Sequence, residues 1–108
     1  MGKFTVKTDA KGEFRFNLLA DNGQIILSSE GYSNKDGCMN GIESVKKNAT
    51  DESKFEKKNT TSGKPFFNLK AGNGQVIGTS QFYESEAGRD NGIASVMKNA
   101  PEATIEML

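Results

Sequence analysis

The chain has 108 residues, 34% of them apolar and 26% charged, a composition typical of a small globular domain rather than a disordered segment. Its 14 lysines and arginines balance its 14 aspartates and glutamates. This balance removes the general attraction to phosphate on which nucleic-acid binding depends, and it argues against a basic membrane patch, so we expect neither partner.

The first half of the chain predicts three strands and a helix. Lys3 to Thr8 forms a first strand, and Phe14 to Ala20 alternates apolar and polar residues with the period of a half-buried strand. Asn22-Gly23 is the strongest short hairpin signal and predicts a two-residue type I′ turn. That turn would place one set of side chains on the core face of the sheet: Phe14, Phe16, Leu18, Ala20, Ile25 and Leu27.

The helix follows Tyr32. Ser33 is the predicted N-cap, and Cys38, Ile42, Val45 and Ala49 then form a narrow apolar stripe at helical spacing. A further strand around Lys54 to Lys58 follows the helix.

The second half repeats the first. A shift of 51 residues superimposes Phe16–Ala49 on Phe67–Ala100, with 19 of 34 positions identical. The second half therefore has the same predicted strands, a helix capped by Glu84 or Ser85 with the stripe Ile93, Val96, Ala100, and a last strand from Ala103 to Met107. One repeat offers too little apolar surface to be stable alone. We expect a single α+β domain over residues 1–108, built from two βββα(β) repeats at about 1–51 and 52–108.

The repeated motif, Asn-Gly-Gln after a Phe-x-Leu strand and then Asn-Gly-Ile-x-Ser-Val-x-Lys-Asn-Ala, resembles the YegP-like family of small bacterial tandem-repeat proteins. The resemblance covers nearly the whole chain. It implies one continuous antiparallel sheet, exchange of the C-terminal strands between the repeats, and both helices on one face. It implies no catalytic residues, and the second repeat departs from the first where Ala94 replaces Glu43 and Met97 replaces Lys46.

Each predicted helix carries a polar row opposite its apolar stripe. The rows are candidate ligand-binding or partner-binding sites, and the alternative is an ordinary solvated face or local hydrogen bonding. They consist of Asn40, Ser44 and Lys47 in the first repeat and Asn91, Ser95 and Lys98 in the second.

The predicted sheet face away from the helices is a second candidate. Apolar residues on it would form an exposed patch of the kind that often marks a partner surface, although scattered apolar surface residues are also normal. The residues are Leu19, Ile26, Phe66 and Ile77.

Other residues favour structural interpretations. Two glycines one turn apart inside each helix, at 37 and 41 and again at 88 and 92, indicate close packing rather than a phosphate loop, which would precede the helix. Cys38, the only cysteine, is replaced by Arg89 in the second repeat, and we interpret it as a structural thiol in a reducing cytoplasm. Tyr32 and Tyr83 are expected to pack between sheet and helix.

The sequence contains no reaction centre. The absence of histidine excludes the usual Ser-His-Asp and Cys-His catalysis and histidine-ligated zinc, and we expect no metal or cofactor. The leading hypothesis is a non-enzymatic, monomeric cytoplasmic binding or interaction module. The rival is a small-molecule sensor or enzyme with a pocket at the junction of the repeats, built from Asn40, Ser44 and Tyr32.

Overall fold

The computed structural model describes residues 2–108. Each repeat has three strands followed by a 14-residue helix, and one further strand ends the chain. A 3₁₀ turn, Glu52–Lys54, precedes the fourth strand. The elements are β1 (Lys3–Thr8), β2 (Phe14–Leu19), β3 (Ile25–Ser28), α1 (Lys35–Asn48), β4 (Phe55–Asn59), β5 (Pro65–Lys70), β6 (Val76–Thr79), α2 (Glu86–Asn99) and β7 (Thr104–Met107).

All the strands belong to one seven-stranded sheet in the order β4-β5-β6-β3-β2-β1-β7. The strand after each helix joins the outer edge of the other repeat, since β4 pairs with β5 and β7 pairs with β1. The predicted exchange of C-terminal strands is therefore confirmed. The prediction of a purely antiparallel sheet is wrong, because β7 runs parallel to β1 and the sheet is mixed.

The two repeats meet where β3 pairs with β6. Ser28 lies directly opposite Thr79, which is the residue 51 positions further along the chain. Equivalent residues that face each other across an antiparallel pair lie on a local twofold axis. The molecule is thus arranged like a symmetric dimer of repeats within one chain.

Both helices pack on the same face of the sheet. The predicted stripe of α1 is fully buried, and Ile93, Val96 and Ala100 of α2 are buried at the equivalent positions. Each helix contacts strands of both repeats: α1 packs on β2, β5 and β6, and α2 packs on β3 and β5. The core is therefore shared between the repeats.

The predicted start of α1 is wrong by one residue. Asn34, not Ser33, is the N-cap, and its side chain accepts a hydrogen bond of 2.7 Å from the backbone N–H of Gly37. Ser85 caps α2 in the same way, with a 3.0 Å bond from Gly88. Both caps lie three residues before a glycine amide that would otherwise lack a partner.

Both Asn-Gly hairpins form, but the turn type differs from the prediction. Gly23 has a φ of 83°, whereas no non-glycine residue in the described chain has a positive φ. A type I′ turn would need a positive φ at Asn22 as well. The turn instead closes through the Gly23 N–H, which donates to the Ala20 carbonyl, and Asn22 Oδ1 accepts from the Gln24 N–H.

A bulge beyond each turn changes which face the next strand presents. Leu18 pairs with Leu27 and Leu19 with Ile25, so Ile26 is an extra residue without a partner of its own. Ile25 is 47% exposed, whereas Ile26 is 6% exposed and belongs to the core. The prediction that Ile25 lies on the core face and Ile26 on the open face, the sheet face away from the helices, is therefore wrong.

The second repeat has the same bulge, between Leu69 and Lys70. Ile77 is 9% exposed and belongs to the core, contrary to the prediction that it lies on the open face. Leu19 and Phe66 are half-buried. Because Ile26 and Ile77 are buried, the four residues do not form an exposed patch.

Candidate functional site

The polar helix rows face solvent as predicted. Asn40 and Lys47 are exposed and Ser44 is half-buried. The equivalent residues of α2, Asn91, Ser95 and Lys98, have the same three burial classes. The surface opposite each row is contributed by the other repeat, which the sequence did not predict.

Two clefts lie between a helix row and the hairpin of the opposite repeat. The first cleft, about 690 Å³, is lined by α1 and by the β5–β6 hairpin. The second cleft, about 350 Å³, is lined by α2 and by the β2–β3 hairpin. The first cleft consists of Asn40, Glu43, Ser44, Lys47, Asn48, Asp51, Lys54, Ala71, Gly72 and Asn73, and the second of Ala20, Asp21, Asn22, Asn91, Ala94, Ser95, Lys98 and Asn99.

Most residues of the second cleft have an identical counterpart in the first. The helices contribute the same asparagine, serine, lysine and asparagine, and the hairpins contribute the same alanine and asparagine. The two clefts are therefore related by the twofold arrangement of the repeats. Residues that are far apart along the chain but shared by both repeats converge in the clefts.

Local hydrogen bonds fix the floor of each cleft. Asn48 Nδ2 donates to the Ser44 carbonyl at 2.8 Å and lies 3.2 Å from Ser44 Oγ. Asn99 makes the same two bonds to Ser95. Part of the serine and asparagine pattern is thus explained by local bonding, whereas Asn40 and Lys47 make no side-chain hydrogen bond with any described residue.

The hairpin asparagines are fixed by the turns. Asn73 Oδ1 accepts from the Gln75 backbone N–H at 3.0 Å, and Asn22 bonds Gln24 in the same way. The oxygen is engaged, whereas the amide nitrogen makes no hydrogen bond within residues 2–108. Each hairpin can therefore offer a donor to a molecule in its cleft.

The first cleft carries charges of both signs. Glu43 and Asp51 contribute carboxylates, and Lys47 and Lys54 contribute ammonium groups. The Ser53 hydroxyl, followed by the Ser53 backbone N–H, donates to Asp51 and holds the pKa of that carboxyl below its usual value. Asp51 is therefore ionised at neutral pH.

The second cleft contains a buried polar atom without a partner. Asn99 is 4% exposed, and its Oδ1 accepts no hydrogen bond within the described chain. The backbone of Gly2 packs against this side chain: a Cβ added at Gly2 would lie 2.7 Å from Asn99 Cβ. An unpaired amide oxygen in a protein interior is unusual, so the region beside Ser95 contains a polar group that lacks its hydrogen bond.

One residue proposed from the sequence for the pocket does not reach the clefts. Tyr32, proposed for the pocket with Asn40 and Ser44, packs between sheet and helix with its ring stacked on Phe16 at 6.2 Å. A Cβ at Gly41 would lie 2.8 Å from Tyr32 Cζ. Burial raises the pKa of Tyr32, so its phenol stays neutral. The close-packing interpretation of the helix glycines is confirmed at Gly41.

Cys38 is also structural. It is fully buried, and burial raises the pKa of its thiol, which disfavours the reactive thiolate. Among residues 2–108, no group of three or more histidine, cysteine, aspartate or glutamate side chains could hold a metal ion. No helix in the described part of the chain is long and apolar enough to cross a membrane.

The hairpin half of each cleft is not predicted from the sequence. Ala71, Gly72 and Asn73 lie in a predicted turn, and turn chemistry alone accounts for the Asn-Gly pair. The Asn-Gly-Gln sequence, which both repeats retain, was the signal that could have indicated a role for the hairpins. The contact with α1 depends on how the repeats join, which the local pattern does not contain.

Taken together, the fold and the twin clefts define a tandem-repeat α+β protein in which two βββα units share one sheet. The family described as "Domain of unknown function (DUF1508)" matches twice, over residues 9–56 and 61–106, and the chain belongs to this family. The resemblance to YegP-like proteins is confirmed, because relatives that carry this name match over nearly the whole chain.

Relatives align along almost their whole length. The chain is 59% identical to the "UPF0339 protein in ptx operon 5'region" of Stutzerimonas stutzeri over 104 residues, 96% of this chain and 94% of that protein. It is 44% identical to the UPF0339 protein YegP of Escherichia coli K12, over 97% and 96% of the two chains. These names assign no activity.

Solved structures confirm the fold. The solution NMR structure of a UPF0339 protein from Shewanella oneidensis matches with a TM-score of 0.94 at 50% identity, covering 99% of this chain and 91% of that one. The solution structure of yegP from E. coli, described as a protein of unknown function, matches with a TM-score of 0.93 at 43% identity, covering 98% and 91%.

Proposed function

We propose that this protein is a non-enzymatic binding module that holds a small polar ligand in its inter-repeat clefts. One observation carries the proposal: surface residues retained in both repeats converge, from opposite repeats, on two equivalent concave sites. Ligand sites favour concave surfaces with a few convergent polar groups. A solvated helix face would need neither the opposing hairpin nor the same residues twice.

Binding is a better interpretation than catalysis. The hydroxyl of Ser44 contacts the amide of Asn48, which cannot accept its proton, so this serine has no general base in its local bonding. A protein partner docking on the open sheet face is disfavoured, because two of the four residues proposed for that face lie in the core.

We further propose that the protein is a monomer in the bacterial cytoplasm. The internal twofold arrangement gives one chain the shared sheet and core that two single repeats would form as a homodimer. The lone, buried Cys38 is compatible with a reducing compartment.

Gly72 gives a direct test of the first cleft. A Cβ added at this residue meets nothing within 4 Å, and its φ is not in the left-handed region. Gly72→Trp should therefore fold normally and fill the cleft beside Ala71. Asp21→Trp is the matched variant, at the equivalent position of the second cleft.

The experiment is a thermal-shift screen of polar metabolites against the intact chain, followed by amide NMR titration of each hit. A ligand raises the melting temperature by mass action and shifts amides that line a cleft. We expect Gly72→Trp to abolish the shifts at the first cleft and Asp21→Trp those at the second. Hits that survive both substitutions, or a broad library without hits, would refute the proposal.

A further inference from the structure

We infer that the ligand of the first cleft is a small zwitterion, a molecule that carries both an ammonium and a carboxylate group. This inference rests on the proposed function and adds the chemical class of the ligand. It is carried by the charges that line the first cleft and by a complementary exchange of residues between the two clefts.

The four charged side chains of the first cleft form no salt bridge with one another, although the ammonium group of Lys54 contributes to the lowered pKa of Asp51. Glu43, Asp51, Lys47 and Lys54 line it, and none of them has an oppositely charged group within 4 Å among the described residues. Elsewhere on the surface such pairs form, for example Lys70 with Glu56 at 3.0 Å. Two carboxylates and two ammonium groups thus share one concavity with no net charge.

A ligand of a single sign would meet repulsion in this cleft. An anion drawn to Lys47 and Lys54 would lie near the carboxylates of Glu43 and Asp51, and a cation would meet the reverse problem. A molecule with both an ammonium and a carboxylate group complements both sets. The amide group of Asn40 then supplies a neutral donor and acceptor, and the amide nitrogen of Asn73 supplies a further donor.

The two repeats differ at two cleft positions, and the differences compensate. Glu43 of α1 is replaced by Ala94 in α2, and Gly72 of the second hairpin corresponds to Asp21 of the first. Because each cleft combines a helix with the hairpin of the other repeat, the first contains Glu43 with Gly72 and the second contains Asp21 with Ala94. Each cleft therefore keeps one carboxylate at these positions beside its retained lysine.

The first cleft is the stronger site. The positions 51 residues after Asp51 and Lys54 hold Glu102 and Ile105, and neither lines the second cleft. The second cleft is also about half the volume, at roughly 350 Å³ against 690 Å³. A zwitterion would meet fewer charged groups there.

The test is an amide NMR titration of the intact chain with L-glutamine, with acetate and methylammonium as single-charge probes at equal concentration. L-Glutamine should shift amides around residues 40–54 and 71–73, and neither single-charge probe should match its affinity. Glu43→Gln and Lys47→Gln each replace a charged group by a neutral amide, and each should weaken binding about tenfold. Lys98→Gln, the same change in the second cleft, should leave binding at the first cleft unchanged.

Different outcomes would overturn the zwitterionic ligand and the binding function. Equal affinity for acetate or methylammonium, or full affinity in Glu43→Gln, would overturn the zwitterion. So would a metabolite of another class that shifts the first cleft while L-glutamine does not, although the binding function would then stand. Silence of both clefts toward every metabolite would overturn the binding function itself.

Discussion

Leu27 lies over Gly78, which is its own counterpart in the second repeat. A Cβ added at Gly78 would lie 2.6 Å from Leu27 Cδ2 and 2.7 Å from Cγ. Both residues lie beside the twofold junction where Ser28 meets Thr79. In a dimer of identical repeats the two positions would carry the same side chain. Because both repeats belong to one chain, the two positions can differ, and the large side chain of one repeat occupies the space beside the glycine of the other.

This asymmetric contact predicts that Gly78→Leu destabilises the protein. The new side chain would enter space that fully buried Leu27 already fills, and overpacking costs about 1 to 3 kcal/mol. Urea unfolding of the purified variant measures the loss. In Leu27→Gly/Gly78→Leu the large and small residues are exchanged, and this double variant should recover part of the stability that Gly78→Leu loses. A double variant that is less stable by the full sum of the single effects would contradict the complementary packing.

Local sequence patterns predict the elements of this fold better than its faces. The stripe of α1 is correct because the helical period is a local property, and each Asn-Gly pair does form a hairpin. The bulge that buries Ile26 and exposes Ile25 is not visible in the alternation, because a one-residue slip depends on the turn type and on cross-strand packing.

About half of the candidate site could be predicted from the sequence. Asn40, Ser44 and Lys47 were found from their helical spacing and their recurrence in the second repeat. The opposing residues Ala71 and Gly72 were not, since they come from the hairpin of the other repeat and carry no chemical signature. Long-range pairing, rather than local propensity, creates the cleft.

The two glycines of α2 should respond in opposite ways to alanine. A Cβ at Gly92 would lie 2.7 Å from Tyr83 Cζ, whereas the nearest atom to a Cβ at Gly88 is 3.4 Å away. Alanine is favoured over glycine inside a helix by about 1 kcal/mol. Gly88→Ala should therefore raise the free energy of unfolding, and Gly92→Ala should lower it despite its better helix propensity.

Tyr83 provides the control for this pair. Its hydroxyl is buried and has no hydrogen-bond partner among the described residues. Tyr83→Phe removes an unsatisfied group and should be neutral or stabilising by up to about 1 kcal/mol. Combined with Gly92→Ala it should relieve part of the clash. If chemical denaturation gives the same loss for Gly92→Ala with and without Tyr83→Phe, the hydroxyl is not what the glycine accommodates.

The helix caps test the corrected start of α1. Asn34→Ala should lower the free energy of unfolding by about 1 kcal/mol, because the Gly37 N–H loses its acceptor. Ser85→Ala should cost a similar amount in α2. Ser33→Ala should have little effect, since Ser33 is exposed and does not cap the helix. Melting temperatures would rank the variants, and a larger loss for Ser33→Ala than for Asn34→Ala would restore the original assignment.

Asp9 should contribute to acid sensitivity. Arg15 Nε donates to its carboxylate at 2.8 Å, and the backbone N–H groups of Glu13 and Lys11 donate at 3.0 and 2.9 Å, so the pKa of Asp9 is lowered in the folded protein. A carboxyl with a lowered folded pKa stabilises the protein above its unfolded pKa of about 3.9 and loses that contribution as pH falls through the folded value.

Asp9→Asn should therefore be less stable than the parent at neutral pH, and the difference should shrink between about pH 5 and about pH 2. Urea unfolding at a series of pH values measures both curves. Arg15→Gln removes the main donor, so its effect at neutral pH should overlap with that of Asp9→Asn rather than add to it. Parallel stability curves for the parent and Asp9→Asn across this range would show that the Asp9 contacts do not depend on its charge.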